Sequence, residues 1–169
     1  MRIVVIGNAG GGKSTLARKL ATELDLPVHE VDRLLWRPGW VMTPADEYED
    51  AHAQLLDGDL WIIEGMGRRQ SIAARIERAT HVVLCDFPLW QHFWIVAERQ
   101  LAWSRGELEH PPAGGDQMPP TRAIFELVWT VEQDWMPLVR EKVAEAERNE
   151  KDVRRIPSFE DLQRFEWAG

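Results

Sequence analysis

Eight consecutive residues near the start of the chain carry the plainest chemistry. Gly7-Asn8-Ala9-Gly10-Gly11-Gly12-Lys13-Ser14 fit the pattern GxxxxGK[ST]. Its glycines let successive backbone N–H groups turn inward around phosphate oxygens. A helix beginning at the same place adds partial positive charge. Lys13 would reach the β- and γ-phosphates as a point charge, and Ser14 would offer its hydroxyl to Mg²⁺. Gly7 through Ser14, with Thr15 at the helix start, form the expected nucleotide-binding set. The ligand implied is ATP with Mg²⁺, although the pattern does not separate ATP from GTP.

Such a loop works only between a strand and a helix, and both are legible. Arg2-Ile3-Val4-Val5-Ile6 reads as a buried strand, and residues 15–24 as a helix with Leu16, Leu20 and Leu24 on one face. Alternation of strand and helix continues, which predicts an α/β fold with a parallel sheet covered on both sides. Further strands are expected at 27–32, 60–64, 81–85 and 153–157. Thr43 is expected to cap a helix opened by Pro44 and running to Asp57, with Gly58 ending it. Pro88 opens another, with Trp90, Phe93, Trp94, Ala97 and Leu101 along one stripe. A long helix is expected from Thr121 to Asn149, kinked by Pro137. Residues 104–120 hold four prolines and three glycines, the composition of a lid or an irregular loop.

At 169 residues the chain is expected to form one domain, 1–169. Its net charge of −8 and pI near 5.2 argue against nucleic-acid binding, which needs basic residues to neutralise phosphates. A small anionic ligand is compatible, because a site can be locally positive on an acidic protein. The single cysteine excludes an internal disulfide and fits a reducing cytoplasm. Neither a signal-peptide pattern nor an apolar run of the ~20 residues needed to cross a bilayer is evident. Of the nine tryptophans, Trp90, Trp94 and Trp129 sit at helical spacing with apolar neighbours and are expected in the core.

Three segments together carry a family resemblance: Gly7–Ser14, then Val31-Asp32-Arg33-Leu34-Leu35-Trp36 with Pro38-Gly39-Trp40, then Trp61–Gly65. The chain resembles P-loop small-molecule kinases of the adenylate kinase and shikimate kinase type. It most resembles the bacterial adenylate-kinase-like proteins labelled DNA topology modulation proteins. The resemblance covers residues 1 to about 105. It implies a P-loop NTPase three-layer sandwich with a five-stranded parallel sheet, order 2-3-1-4-5, and a lid near 104–120. The implied activity is ATP- and Mg²⁺-dependent phosphoryl transfer to a small-molecule acceptor, a nucleoside or nucleotide. The alternative is a nucleotide-binding regulator or slow ATPase on the same fold.

The resemblance also assigns roles. Glu64 takes the place of the acid that, with Ser14, orients Mg²⁺, and it is glutamate where the family has aspartate. Gly65 and Arg68 follow it on the acceptor side, where Arg68 would clamp an acceptor phosphate through two hydrogen bonds. Asp32 matches an acid that helps remove the proton of an acceptor hydroxyl. Asp32 therefore points to a hydroxyl acceptor and Arg68 to a phosphorylated one, and both stay open. Trp36 or Trp40 would stack on a base or cover the acceptor, with core packing the equal alternative. Asp86 is read as the N-cap of the next helix, ahead of a second metal-orienting role. Arg99, Arg105 and Arg122 flank the lid and would neutralise charge in the transition state. The lid itself, 106–120, has no Arg or Lys.

Overall fold

Continuous aliphatic runs build the centre of the molecule. The computed structural model describes residues 1–111 and 117–168. Its sheet strands are β1 (Arg2–Gly7), β2 (Val28–Glu30), β5 (Trp61–Glu64), β6 (His81–Cys85) and β7 (Asp152–Ile156). Two shorter strands, β3 (Trp36–Arg37) and β4 (Val41–Met42), form a separate antiparallel hairpin. The five-stranded sheet is parallel at each pairing, in the order β2-β5-β1-β6-β7. The labels differ from the expected 2-3-1-4-5 because the hairpin strands take the third and fourth places along the chain; numbered without the hairpin, the five sheet strands stand in that order.

Alternate residues of β1 serve opposite layers. Ile3 and Val5 pack with Leu16, Ala17 and Leu20 of α1 (Lys13–Leu24). Val4 and Ile6 pack on the other face with α4 (Ile72–Arg78) and α7 (Met136–Arg148), through Ile72, Ile76, Val139 and Val143. Each such side chain, fully buried, contributes about 1.5–3 kcal/mol. The result is a sheet between two helical layers, with the C-terminal strand ends opening beside the phosphate loop.

Several elements depart from the sequence pattern. β2 ends at Glu30, and Val31 and Asp32 instead open a short helix, α2 (Val31–Leu35). Pro44, not Thr43, holds the capping position of α3 (Ala45–Leu56), with no side-chain cap. Thr43 is buried, and its N–H bonds the Leu35 carbonyl at 2.9 Å. The long C-terminal helix divides into α6 (Thr121–Thr130), a π-turn at Val131–Trp135, and α7. Pro137 lies in the first turn of α7, where its missing N–H is tolerated, and the wider turn before it absorbs the strain.

The tryptophan expectation fails. Trp90, Trp94 and Trp129 are 64%, 62% and 54% exposed. The buried face of α5 (Leu89–Ser104) is instead Gln91, His92, Val96 and Gln100. The polar residues there meet backbone groups: His92 reaches the phosphate loop, and Gln100 donates to the Pro119 carbonyl at 3.0 Å. Among the described residues no helix is long and apolar enough to cross a membrane. Residues 112–116 of the expected lid lie outside the described residues.

Candidate functional site

The phosphate loop joins β1 to α1, and close packing dictates its first glycine. Gly7 has φ of 153°, and a Cβ there would stand 2.2 Å from the Cys85 carbonyl oxygen on β6. Asn8 is fully buried and organises the turn. Its Oδ1 accepts from Ala9 N–H at 2.7 Å, and its Nδ2 donates to the Val128 carbonyl on α6 at 2.9 Å. The Asn8 carbonyl accepts from Gly11 N–H at 3.2 Å and from Lys13 Nζ at 2.8 Å. That carbonyl is a neutral partner, and a phosphate oxygen would attract the ammonium more strongly.

His92 braces the loop from α5. Its Nδ1 donates to the Ala9 carbonyl at 2.9 Å, and its ring stacks on Phe87 at 5.3 Å. Burial first, and then Lys13, push its pKa down to about 4, so the ring is neutral at pH 7.

Ser14 and Glu64 meet at the loop mouth, where the hydroxyl donates to Oε1 at 2.8 Å. Glu64 ends β5 and is 4% exposed. Burial raises its pKa; Lys13 and the Ser14 hydrogen bond oppose that rise, and Asp32 adds to it. A hydroxyl and a carboxylate are oxygen donors that suit Mg²⁺, which takes few protein ligands and completes its shell with phosphates and water. The residues present therefore fit the metal.

The acceptor side is assembled from separate elements. Asp32 Oδ1 accepts from Gly67 N–H at 3.1 Å. Gly65 backs onto the same acid: a Cβ there would stand 3.4 Å from the Asp32 carboxyl. Gly67 has φ of 59°, and a Cβ there would stand 2.2 Å from Tyr48 Oη. Arg99 on α5 is half-buried and attracted to Asp32, with its Nε unpartnered among the described residues. Trp36 and Trp40 make an edge-to-face pair at 5.9 Å on the hairpin. Trp40 Nε1 donates to the Gln117 carbonyl at 2.8 Å, joining the hairpin to the end of the lid segment.

Other expected residues sit elsewhere. Arg68 donates through Nη2 to the Thr43 carbonyl, and its guanidinium lies 5.5 Å from the Tyr48 ring centre. Arg105 is exposed at the end of α5. The Arg122 side chain is 88% exposed and pairs with Glu126 at 2.7 Å, so it is not brought to the loop. Asp86 makes no cap. It binds Arg140 through both carboxylate oxygens, at 2.8–3.1 Å, and Arg140 also holds Glu132 at 2.7 Å.

The sequence reading missed Asn8's tie to α6, His92, Tyr48 and Arg75. Arg75 is fully buried in α4 and donates to the Met66 carbonyl at 2.5 Å. Burial lowers its pKa against the attraction of Tyr48, Asp32 and Glu64. One signal could have found it: Arg75 falls on the apolar face set by Ile72, Ile76 and Ala79. The others leave no such mark.

No protein-family model matches the chain, and neither does a curated protein. Solved structures do match. One is a protein of Chloroflexus aurantiacus described as a "putative kinase", with a TM-score of 0.53 and 16% identity. The match covers 97% of this chain and 90% of that one. At that identity the likeness is one of fold alone.

Proposed function

We propose that this protein transfers the γ-phosphoryl group of Mg·ATP to a hydroxyl of a small molecule, with nucleosides the first acceptors to test. The observation that carries the reading is the convergence at the loop mouth. Glu64, in contact with the Ser14 hydroxyl at 2.8 Å, stands within electrostatic reach of both Lys13 and Asp32. The similarity to a kinase-labelled structure supports the same reading.

In this reading the loop backbone and Lys13 hold the β- and γ-phosphates. Ser14 and Glu64 would hold Mg²⁺, whose charge offsets that of the phosphates. Gly67 N–H fixes one oxygen of Asp32, leaving the other to accept the proton of the attacking hydroxyl. Arg99 offsets negative charge beside Asp32. A phosphate acceptor is less favoured, because Arg68 is engaged by Thr43 and Tyr48. The Trp40–Gln117 bond supports a role for the lid segment in shielding the site from water.

The second reading, a nucleotide-binding regulator or slow ATPase, draws on the arginines: only Arg99 of the expected three lies beside Asp32. One experiment separates the two. ADP release from Mg·ATP is measured with nucleosides, nucleoside monophosphates, polyols and small acids, with Lys13→Ala as control. Stimulation by a hydroxyl acceptor, lost in the control, is the expected result. ATP binding without stimulation by any acceptor would favour the regulator.

A further inference from the structure

One helix carries an apolar stripe that no other described element covers. On α5, Trp90, Trp94, Ala97 and Leu101 are all exposed. They recur at i, i+4, i+7 and i+11, which sets them on one face. The buried residues of the same helix, Gln91, His92, Val96 and Gln100, lie on the other side. The neighbouring helix α6 meets α5 at its flank, where Phe93 and Phe125 stand with ring centres 5.3 Å apart. Single apolar residues on a surface need no explanation, but two tryptophans and a leucine in one row mark a contact face.

The stripe is complementary to itself. An antiparallel second copy of α5, crossing midway between Ala97 and Glu98, sets Trp94 against Leu101 of the second copy and Trp90 against its Arg105. Ala97 at the crossing lets the two helices approach to about 8 Å. Arg105 is exposed at the end of the helix, and a guanidinium over an indole face is a favourable pair. A two-fold axis makes each of these contacts twice. A tryptophan of this exposure offers about 150 Å². With Leu101, Ala97 and Arg105 the face comes to about 500 Å² per protomer, or about 1,000 Å² for the pair, the lower end of specific interfaces. The charge of −8 on each copy, and the two Glu98 side chains beside the axis, oppose association. The pairing is therefore weak and reversible.

We infer that this face is the interface of a homodimer, in which α5 packs antiparallel on α5 of a second copy. The dimer stands or falls independently of phosphoryl transfer, because the stripe faces away from the side of α5 that braces the phosphate loop. His92 on that side bonds the Ala9 carbonyl, and Arg99 is attracted to Asp32. A second copy would thus steady the helix that carries both. It would also give the exposed Arg105 a partner.

Sedimentation equilibrium of the full-length protein, from about 5 to 500 μM, reads the association directly. The mass should rise from 19.5 kDa toward twice that value. Trp94→Glu sets a charge against Leu101 of the second copy and should weaken association about thirtyfold. Leu60→Ser, at an exposed apolar residue outside the stripe, should leave it unchanged. Both tryptophans are exposed, so the variant monomers keep their fold, which the urea midpoint checks. The register is read by charge exchange. Trp90→Lys brings two cations together and should weaken pairing about tenfold, and adding Arg105→Glu should restore most of the loss. The mass of one chain at every concentration, or a dimer undiminished by Trp94→Glu, would overturn the proposal. Failure of Arg105→Glu to restore Trp90→Lys would overturn the antiparallel register.

Discussion

The two halves of the candidate site are built in opposite ways. The loop is eight consecutive residues, and in the proposed reading it would hold phosphate mostly through backbone N–H groups, whose directions follow from local conformation. The acceptor side draws on α2, the β3–β4 hairpin, the turn after β5, α3, α4 and α5, and its chemistry belongs to side chains. A contiguous backbone device has few ways to be built. A side-chain pocket spread over six elements has many, and only packing selects one. The loop nevertheless leans on distant residues: Asn8 is tied to Val128, and Ala9 to His92.

The largest effect belongs to the loop. Lys13→Ala should lower ATP turnover about 10³-fold, read as steady-state ADP release. A smaller loss would mean that the backbone alone suffices. Gly7→Ala would drive a Cβ into the Cys85 carbonyl, which is backbone and cannot swing away. We expect about 3 kcal/mol lost in urea unfolding, or no soluble protein.

On the acceptor side, Asp32→Asn should reduce acceptor-stimulated turnover about 10²-fold while ATP affinity is kept. Equal losses in both would collapse the distinction between the two halves. Tyr48→Phe removes the hydroxyl that joins Ser71 to the Arg68 N–H and should cost about 1 kcal/mol. A neutral result would place the organisation of the turn with Asp32 and Arg75 instead.

A last comparison sets one histidine from each half side by side. His92 and His52 both have folded pKa values near 4, below the ordinary 6.5. Between those values the unfolded chain binds the protons that the folded one refuses. Their contribution to stability is therefore full above pH 6.5 and is lost as pH falls toward 4. The urea midpoint should drop from pH 7 to pH 5, and His92→Gln and His52→Phe should each flatten that slope. An unchanged slope in the double variant would show that neither ring stays neutral in the fold.

Local rules carried the sequence reading a long way. Aliphatic runs located β1, β5 and β6, because a strand buried on both faces admits little else. The loop motif singled out Lys13 and Ser14, and the family resemblance pointed to Glu64, which the structure sets against the Ser14 hydroxyl. Apolar periodicity was less dependable: it marked Trp90 and Trp94 as core, and α5 turned its polar face inward because the loop and the Pro119 carbonyl lay there. Periodicity reports which face of a helix is apolar, not what the neighbouring element offers. Only the tertiary structure decided that Arg68 is held by Thr43, that Asp86 belongs to Arg140, that Arg122 faces solvent, and that Arg75 lies buried beside two acids. The partner of a long charged side chain is set by elements far away in sequence, and no local spacing encodes it.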